Sequence, residues 1–69
     1  MNVEAEMVAN VWKVLVESGA EVAEGDTLVI LESMKMEIPV VAPQGGTVTA
    51  VNVVEGGVVQ EGDVIAVVE

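Results

Sequence analysis

The feature that most restricts this chain is that it repeats itself. Val11 to Glu32, VWKVLVESGAEVAEGDTLVILE, lies over Val48 to Glu69, VTAVNVVEGGVVQEGDVIAVVE, at an offset of 37 residues and without a gap. Nine of the 22 positions are identical, among them Gly19/Gly56 and the triplets Glu24-Gly25-Asp26 and Glu61-Gly62-Asp63. A valine-rich chain produces chance valine matches, but not glycines and a charged triplet in the same register. Two copies of one design, neither able to bury a face alone, are predicted to pack with approximate twofold symmetry.

Each copy reads as strands. Val14 and Val16, and Val51 and Val53, alternate with other residues at the period of a half-buried strand. Gly19 and Gly56 break the runs, the Glu-Gly-Asp triplets form second turns, and the apolar runs Leu28 to Leu31 and Val64 to Val68 follow. Short apolar runs between turns at regular spacing predict an all-β fold, a flattened barrel or sandwich of two halves related by a pseudo-twofold. The valine bias agrees, because β-branched side chains suit a pleated surface. With 69 residues and no cysteine, the chain is expected to be a single domain over residues 1–69. Its stability then rests on a dense apolar core rather than on disulfides. Residues 1–7 are expected to be a loosely ordered or edge segment.

The charge excludes several roles. A net charge of −10 with only two lysines and no arginine argues against nucleic acid and against anionic membrane surfaces. No apolar run reaches the length of a membrane span. Met1-Asn2-Val3-Glu4-Ala5-Glu6 lacks the basic-then-apolar pattern of a signal peptide, so the expected location is cytoplasmic. A small acidic surface favours a monomer. Without histidine, cysteine or tyrosine, no Ser-His-Asp or Cys-His constellation can be built. No carboxylate spacing matches a metal loop.

Ser33 to Gly46 falls outside the repeat and contains ILESMKMEIPV, Ile30 to Val40. Leu, Glu, Met and Lys favour a helix, but an apolar run precedes the segment and Pro39 bars a continuing helix. The reading is therefore a hairpin, with strands Leu28 to Ser33 and Met36 to Val41 and with Met34-Lys35 at its tip. Ile38, Val40 and Val41 then return toward the core. Lys35 projects into water there, with Glu32 and Glu37 near enough in sequence to pair with it. Met34 and Met36 place flexible, polarizable surface beside the amine. Spacing alone leaves two readings open, a solvated lysine between two chance methionines or an amine held out for a partner. Lys13 is read as a solvent-facing structural lysine. Trp12, opposite Thr49 in the repeat, is read as a partly buried core or edge residue.

The stretch ESMKMEIP resembles the attachment motif of biotinyl domains, the biotin carboxyl carrier members of the biotinyl/lipoyl family. The resemblance runs from about Val8 to Glu69 and is strongest to small stand-alone biotin/lipoyl attachment proteins. It implies a pseudo-symmetric β-sandwich with a modified lysine on a hairpin tip. It implies that biotin protein ligase biotinylates Lys35, with Met34 and Met36 as the flanking residues that partners read. The domain is then not an enzyme but a carrier, taking carboxybiotin between the biotin carboxylase and carboxyltransferase subunits of a biotin-dependent carboxylase such as acetyl-CoA carboxylase. Lipoate is the alternative cofactor, in a carrier of a 2-oxo acid dehydrogenase or glycine-cleavage system. Lipoyl members usually place aspartate before the lysine and a small residue or valine after it, so the two methionines favour biotin. An unmodified interaction domain is the third reading. The sequence departs from the family where Met7-Val8-Ala9-Asn10 replaces a common Pro-Gly and where Ser33 replaces a frequent alanine. Residues 1–69 contain no inserted thumb loop and no Ala/Pro-rich stretch.

Overall fold

A computed structural model describes all of residues 1–69. The chain forms eight strands and no helix: β1 (Asn2–Glu4), β2 (Ala9–Val14), β3 (Glu21–Val22), β4 (Thr27–Ser33), β5 (Met36–Val41), β6 (Gly46–Val51), β7 (Val58–Val59) and β8 (Val64–Val68). With no helix, nothing helical is long or apolar enough to cross a membrane. The strands make two four-stranded antiparallel sheets in the orders β1-β8-β6-β3 and β5-β4-β2-β7. Adding 37 to each residue number carries β1 to β5, β2 to β6, β3 to β7 and β4 to β8, so the two sheets have one topology. Each sheet mixes strands of both halves. Neither half closes a core by itself, which is the physical content of the repeat.

The twofold extends further than the sequence match. Asn2↔Val67, Val3↔Ala66 and Glu4↔Val64 in one sheet correspond to Pro39↔Ile30, Val40↔Val29 and Val41↔Thr27 in the other. Pro39 to Gly46 therefore belong to the second copy, as counterparts of Asn2 to Ala9. This corrects the expectation that the whole of Ser33 to Gly46 lies outside the repeat; only Ser33 to Ile38 do. The identity fades there because β1 and β5 are edge strands with one face in water. The inward positions Val3/Val40 and Ala5/Ala42 keep their residues, while the outward ones are free to differ.

Backbone hydrogen bonds obey the same offset. Gly25 N–H donates to Ala42 O and Gly62 N–H to Ala5 O, both at 2.9 Å, while Ala42 N–H and Ala5 N–H donate to Asp26 O and Asp63 O, both at 2.8 Å. The Asp26 and Asp63 carboxylates accept from the Ala23 and Gln60 N–H groups at 2.9 Å. Each Glu-Gly-Asp turn is thus closed by its aspartate, which reaches back three residues.

The core consists of 13 buried residues, all apolar, with no buried polar side chain. Two pairs of bulges shape it. The β4/β5 and β1/β8 registers skip Leu28 and Ile65. Consecutive residues Leu28-Val29 and Ile65-Ala66 then all face inward and are wholly buried. The β2/β4 and β6/β8 registers skip Trp12 and Thr49. There the extra residue turns outward. Gly46, where β6 begins, admits no side chain, because a Cβ would lie 2.5 Å from the Glu69 carbonyl oxygen.

Candidate functional site

The hairpin of β4 and β5 runs in register from Ile30↔Pro39 through Leu31↔Ile38 and Glu32↔Glu37 to Ser33↔Met36. Met34 and Lys35 are the two residues of its turn. This is the tip expected from the sequence, and it contains no helix. Leu31 is buried, and Ile38 and Val40 pack against the core. The hairpin is thus rooted in the core below and free only at its end. Val41 differs from expectation: it faces water, because β5 alternates and Ile38 and Val40 take the inward positions.

The turn has a feature the sequence did not announce. Met34 and Lys35 both have positive φ, 54° and 66°. A two-residue hairpin loop of type I′ demands this, and its usual residues are Asn-Gly or Asp-Gly. Side chains with a Cβ disfavour the left-handed region by about 1–2 kcal/mol per residue. The turn supplies the hairpin twist that matches the flanking strands, and two residues poorly suited to it supply the side chains. Strain of this kind collects at functional sites.

Both side chains point out of the body. Met34 is 92% exposed and Met36 65% exposed, and Lys35 is exposed between them. Beside the tip, Glu32 and Glu37 are direct cross-strand partners. Both are near enough in sequence to pair with Lys35, but the register sets them first against each other. Like charges directly opposite oppose sheet formation. Asn10 continues this row on β2 opposite Glu32, and Val58 lies beyond it on β7.

The second lysine stands in a different setting. The bulge at Trp12 sends Trp12 and Lys13 to the same outer face, and the Lys13 Nζ sits 5.6 Å from the Trp12 ring centroid, a cation–π contact. Trp12 is 43% exposed on an inner strand of its sheet. It is partly buried, as expected, but belongs neither to the core nor to an edge strand. The signal was available only in the pairing, since a bulge leaves no mark in a single strand's sequence. The third amine, the Met1 N-terminus, donates to the Val68 carbonyl at 2.6 Å. Under the twofold, the chain termini occupy the place equivalent to the Lys35 hairpin, in the other sheet. No grouping of acidic residues is arranged to hold a metal ion.

Known proteins share this architecture. The family model described as "Biotin-requiring enzyme" matches residues 2–68. The biotinylated protein TB7.3 homolog of Mycobacterium leprae (strain TN) is 54% identical over 67 residues, 97% of this chain and 94% of that protein. The biotin/lipoyl attachment protein of Bacillus subtilis (strain 168) is 49% identical over 94% of this chain and 89% of its own length. Among solved structures, the urea carboxylase of Kluyveromyces lactis superposes with a TM-score of 0.92 at 32% identity. The match covers all of this chain but 6% of that one. A single-chain, multi-domain long-chain acyl-CoA carboxylase gives a TM-score of 0.88 at 35% identity, covering 96% of this chain and 6% of its own.

Proposed function

The chain belongs to the biotin-requiring enzyme family, and from that premise we propose that it is a biotin carboxyl carrier domain whose cofactor is joined through an amide to Lys35. The observation that carries the choice of Lys35 is the turn itself. Its amine stands on an exposed tip, next to Met34 and Met36, at the end of a hairpin whose base is locked in the core. Lys13 lies on a sheet face against an indole and the Met1 amine is bonded to a carbonyl, so neither is presented in this way.

The residues fit the group. A primary amine can form an amide with a carboxylic acid, and the surroundings of Lys35 leave room for a long arm directed away from the body. When bound, biotin supplies carboxyl transfer through its ureido ring. The chain's own contribution is positional. The Lys35 Nζ attacks an activated biotin carboxyl carbon, the activating group leaves with the bonding pair, and the nitrogen gives up a proton. In this reading the attaching enzyme, a biotin protein ligase, supplies the base for that proton. Met34 and Met36 offer apolar surface on either side of the amine. The β4/β5 ladder fixes the direction of the arm, which limits the volume the tethered group must search. The partners in this reading are the biotin carboxylase and carboxyltransferase subunits of a biotin-dependent carboxylase.

Expression of the full chain with a biotin protein ligase tests the assignment, read by streptavidin binding and by mass spectrometry of its peptides. One biotin is expected on Lys35 and none on Lys13. The Lys35→Arg variant, which keeps the charge but cannot form the amide, is expected to take none and to keep the circular dichroism of the parent. Lipoate on Lys35 in the native cell, a label on Lys13, or an unmodified Lys35 beside an active ligase would each overturn it.

A further inference from the structure

Met34 and Met36 have a chemistry of their own. Thioethers in proteins are normally buried, where they fill gaps in apolar cores. Here neither does so. The positive φ at Met34 turns that side chain out of the sheet, and its exposure of 92% means that almost nothing shields the sulfur. Met36, at 65%, sits across the turn. Met7 is the natural contrast at 39%. The chain has no cysteine, so no thiol competes for a two-electron oxidant.

We propose that Met34 and Met36 form a reversible oxidation site that gates access to Lys35, with a hydroperoxide as oxidant. The thioether sulfur attacks one peroxide oxygen, the O–O bond breaks, and one oxygen stays on sulfur as a sulfoxide. The other oxygen leaves with the bonding pair, takes up the proton from the oxygen now on sulfur, and departs as water, or as an alcohol from an organic peroxide. Sulfur is oxidised by two electrons and the peroxide is reduced by two. Methionine sulfoxide reductases, one for each sulfoxide epimer, reverse the change with thiols as electron source, two thiols becoming a disulfide as the sulfoxide oxygen leaves as water.

The consequence follows from where the sulfurs sit. An enzyme that reaches the Lys35 amine must cover the residues on both sides of it, and apolar thioethers are covered by apolar surface. A sulfoxide carries a strong acceptor into that surface without a partner. Oxidation therefore blocks gripping of the tip while leaving the fold intact, because neither methionine belongs to the core. The gate rests on the carrier reading of Lys35 given above.

The test treats the full, unmodified chain with dilute hydrogen peroxide, maps each methionine by peptide mass spectrometry, and then measures the rate of biotin attachment by a biotin protein ligase. Met34 is expected to oxidise faster than Met7. Attachment is expected to fall by about tenfold or more, the scale of burying an unpaired polar group, and to recover after treatment with the methionine sulfoxide reductases for both epimers and a thiol. The Met34→Leu/Met36→Leu double variant, compared with itself before and after peroxide, is expected to show no fall. Equal oxidation rates at Met34 and Met7, an unchanged rate of attachment on fully oxidised tip methionines, or a peroxide effect that persists in the double variant would each overturn the gate. An untreated chain that takes no biotin on Lys35 overturns the carrier reading instead, so the two failures are distinct.

Discussion

Six residues of this chain hold a positive φ, and they divide into two groups. Gly19, Gly25, Gly56 and Gly62 sit in turns paired by the twofold, at φ between 87° and 97°. Met34 and Lys35 sit in the turn that the twofold does not reproduce, because its equivalent is the gap between the chain termini. The first group uses the residue that enters this region without steric penalty. The second uses two that resist it. The difference separates the scaffold from the proposed site. Where the backbone conformation only has to reverse the chain, glycine is used. Where the turn must also present side chains, the chain accepts the strain and the hydrogen-bonded hairpin beneath holds it.

That comparison can be broken from either side. The largest effect is expected in the scaffold turns. At Gly25 and Gly62 a Cβ would meet nothing within 4 Å, so a substitution there isolates the backbone term. Gly25→Ala and Gly62→Ala should each lose about 1 kcal/mol, left-handed strain partly offset by a stiffer unfolded chain. Urea unfolding would report this as two similar falls in midpoint. Unequal falls would mean that the twofold is not energetic. The site turn should respond with the opposite sign. Met34→Asn puts a residue tolerant of positive φ at the tip and is expected to stabilise the chain by about 0.5 kcal/mol, while slowing attachment at Lys35. A stability loss would show that Met34 carries packing its exposure hides. The smallest effect concerns the row below the tip. Glu37→Gln removes the like-charge contact with Glu32 and should add a few tenths of a kcal/mol. The gain should shrink as salt rises and screens the pair. A gain that ignores salt would assign it to something other than charge.

Much of this was legible in the residues. The period-two valines, the glycines at fixed offset and the Glu-Gly-Asp turns each act through neighbours a few positions away, so the strands and turns could be read along the chain. The tip could be read too, although its turn lacks the Asn-Gly signal, because Pro39 and the apolar runs on both sides left a hairpin as the consistent choice. Three things could not be read. The β1/β5 correspondence was hidden because edge strands need to match only on their inward side, at Val3/Val40 and Ala5/Ala42. The outward turn of Trp12 was hidden because a bulge is a property of two strands. The outward turn of Val41 was hidden because an apolar residue in a short run carries no sign of which face it occupies.

The sequence by itself determined that the fold is a β-structure made of two like halves, and where along the chain the odd lysine falls. Alternation and turn chemistry are local, and a repeat doubles their signal. Only the tertiary structure decided that the halves interlock across both sheets, that Glu32 faces Glu37, and that Met34 and Lys35 take left-handed conformations. Register and bulges are fixed when strands far apart in sequence compete to bury Leu28, Ile65 and their neighbours. No single segment holds that information.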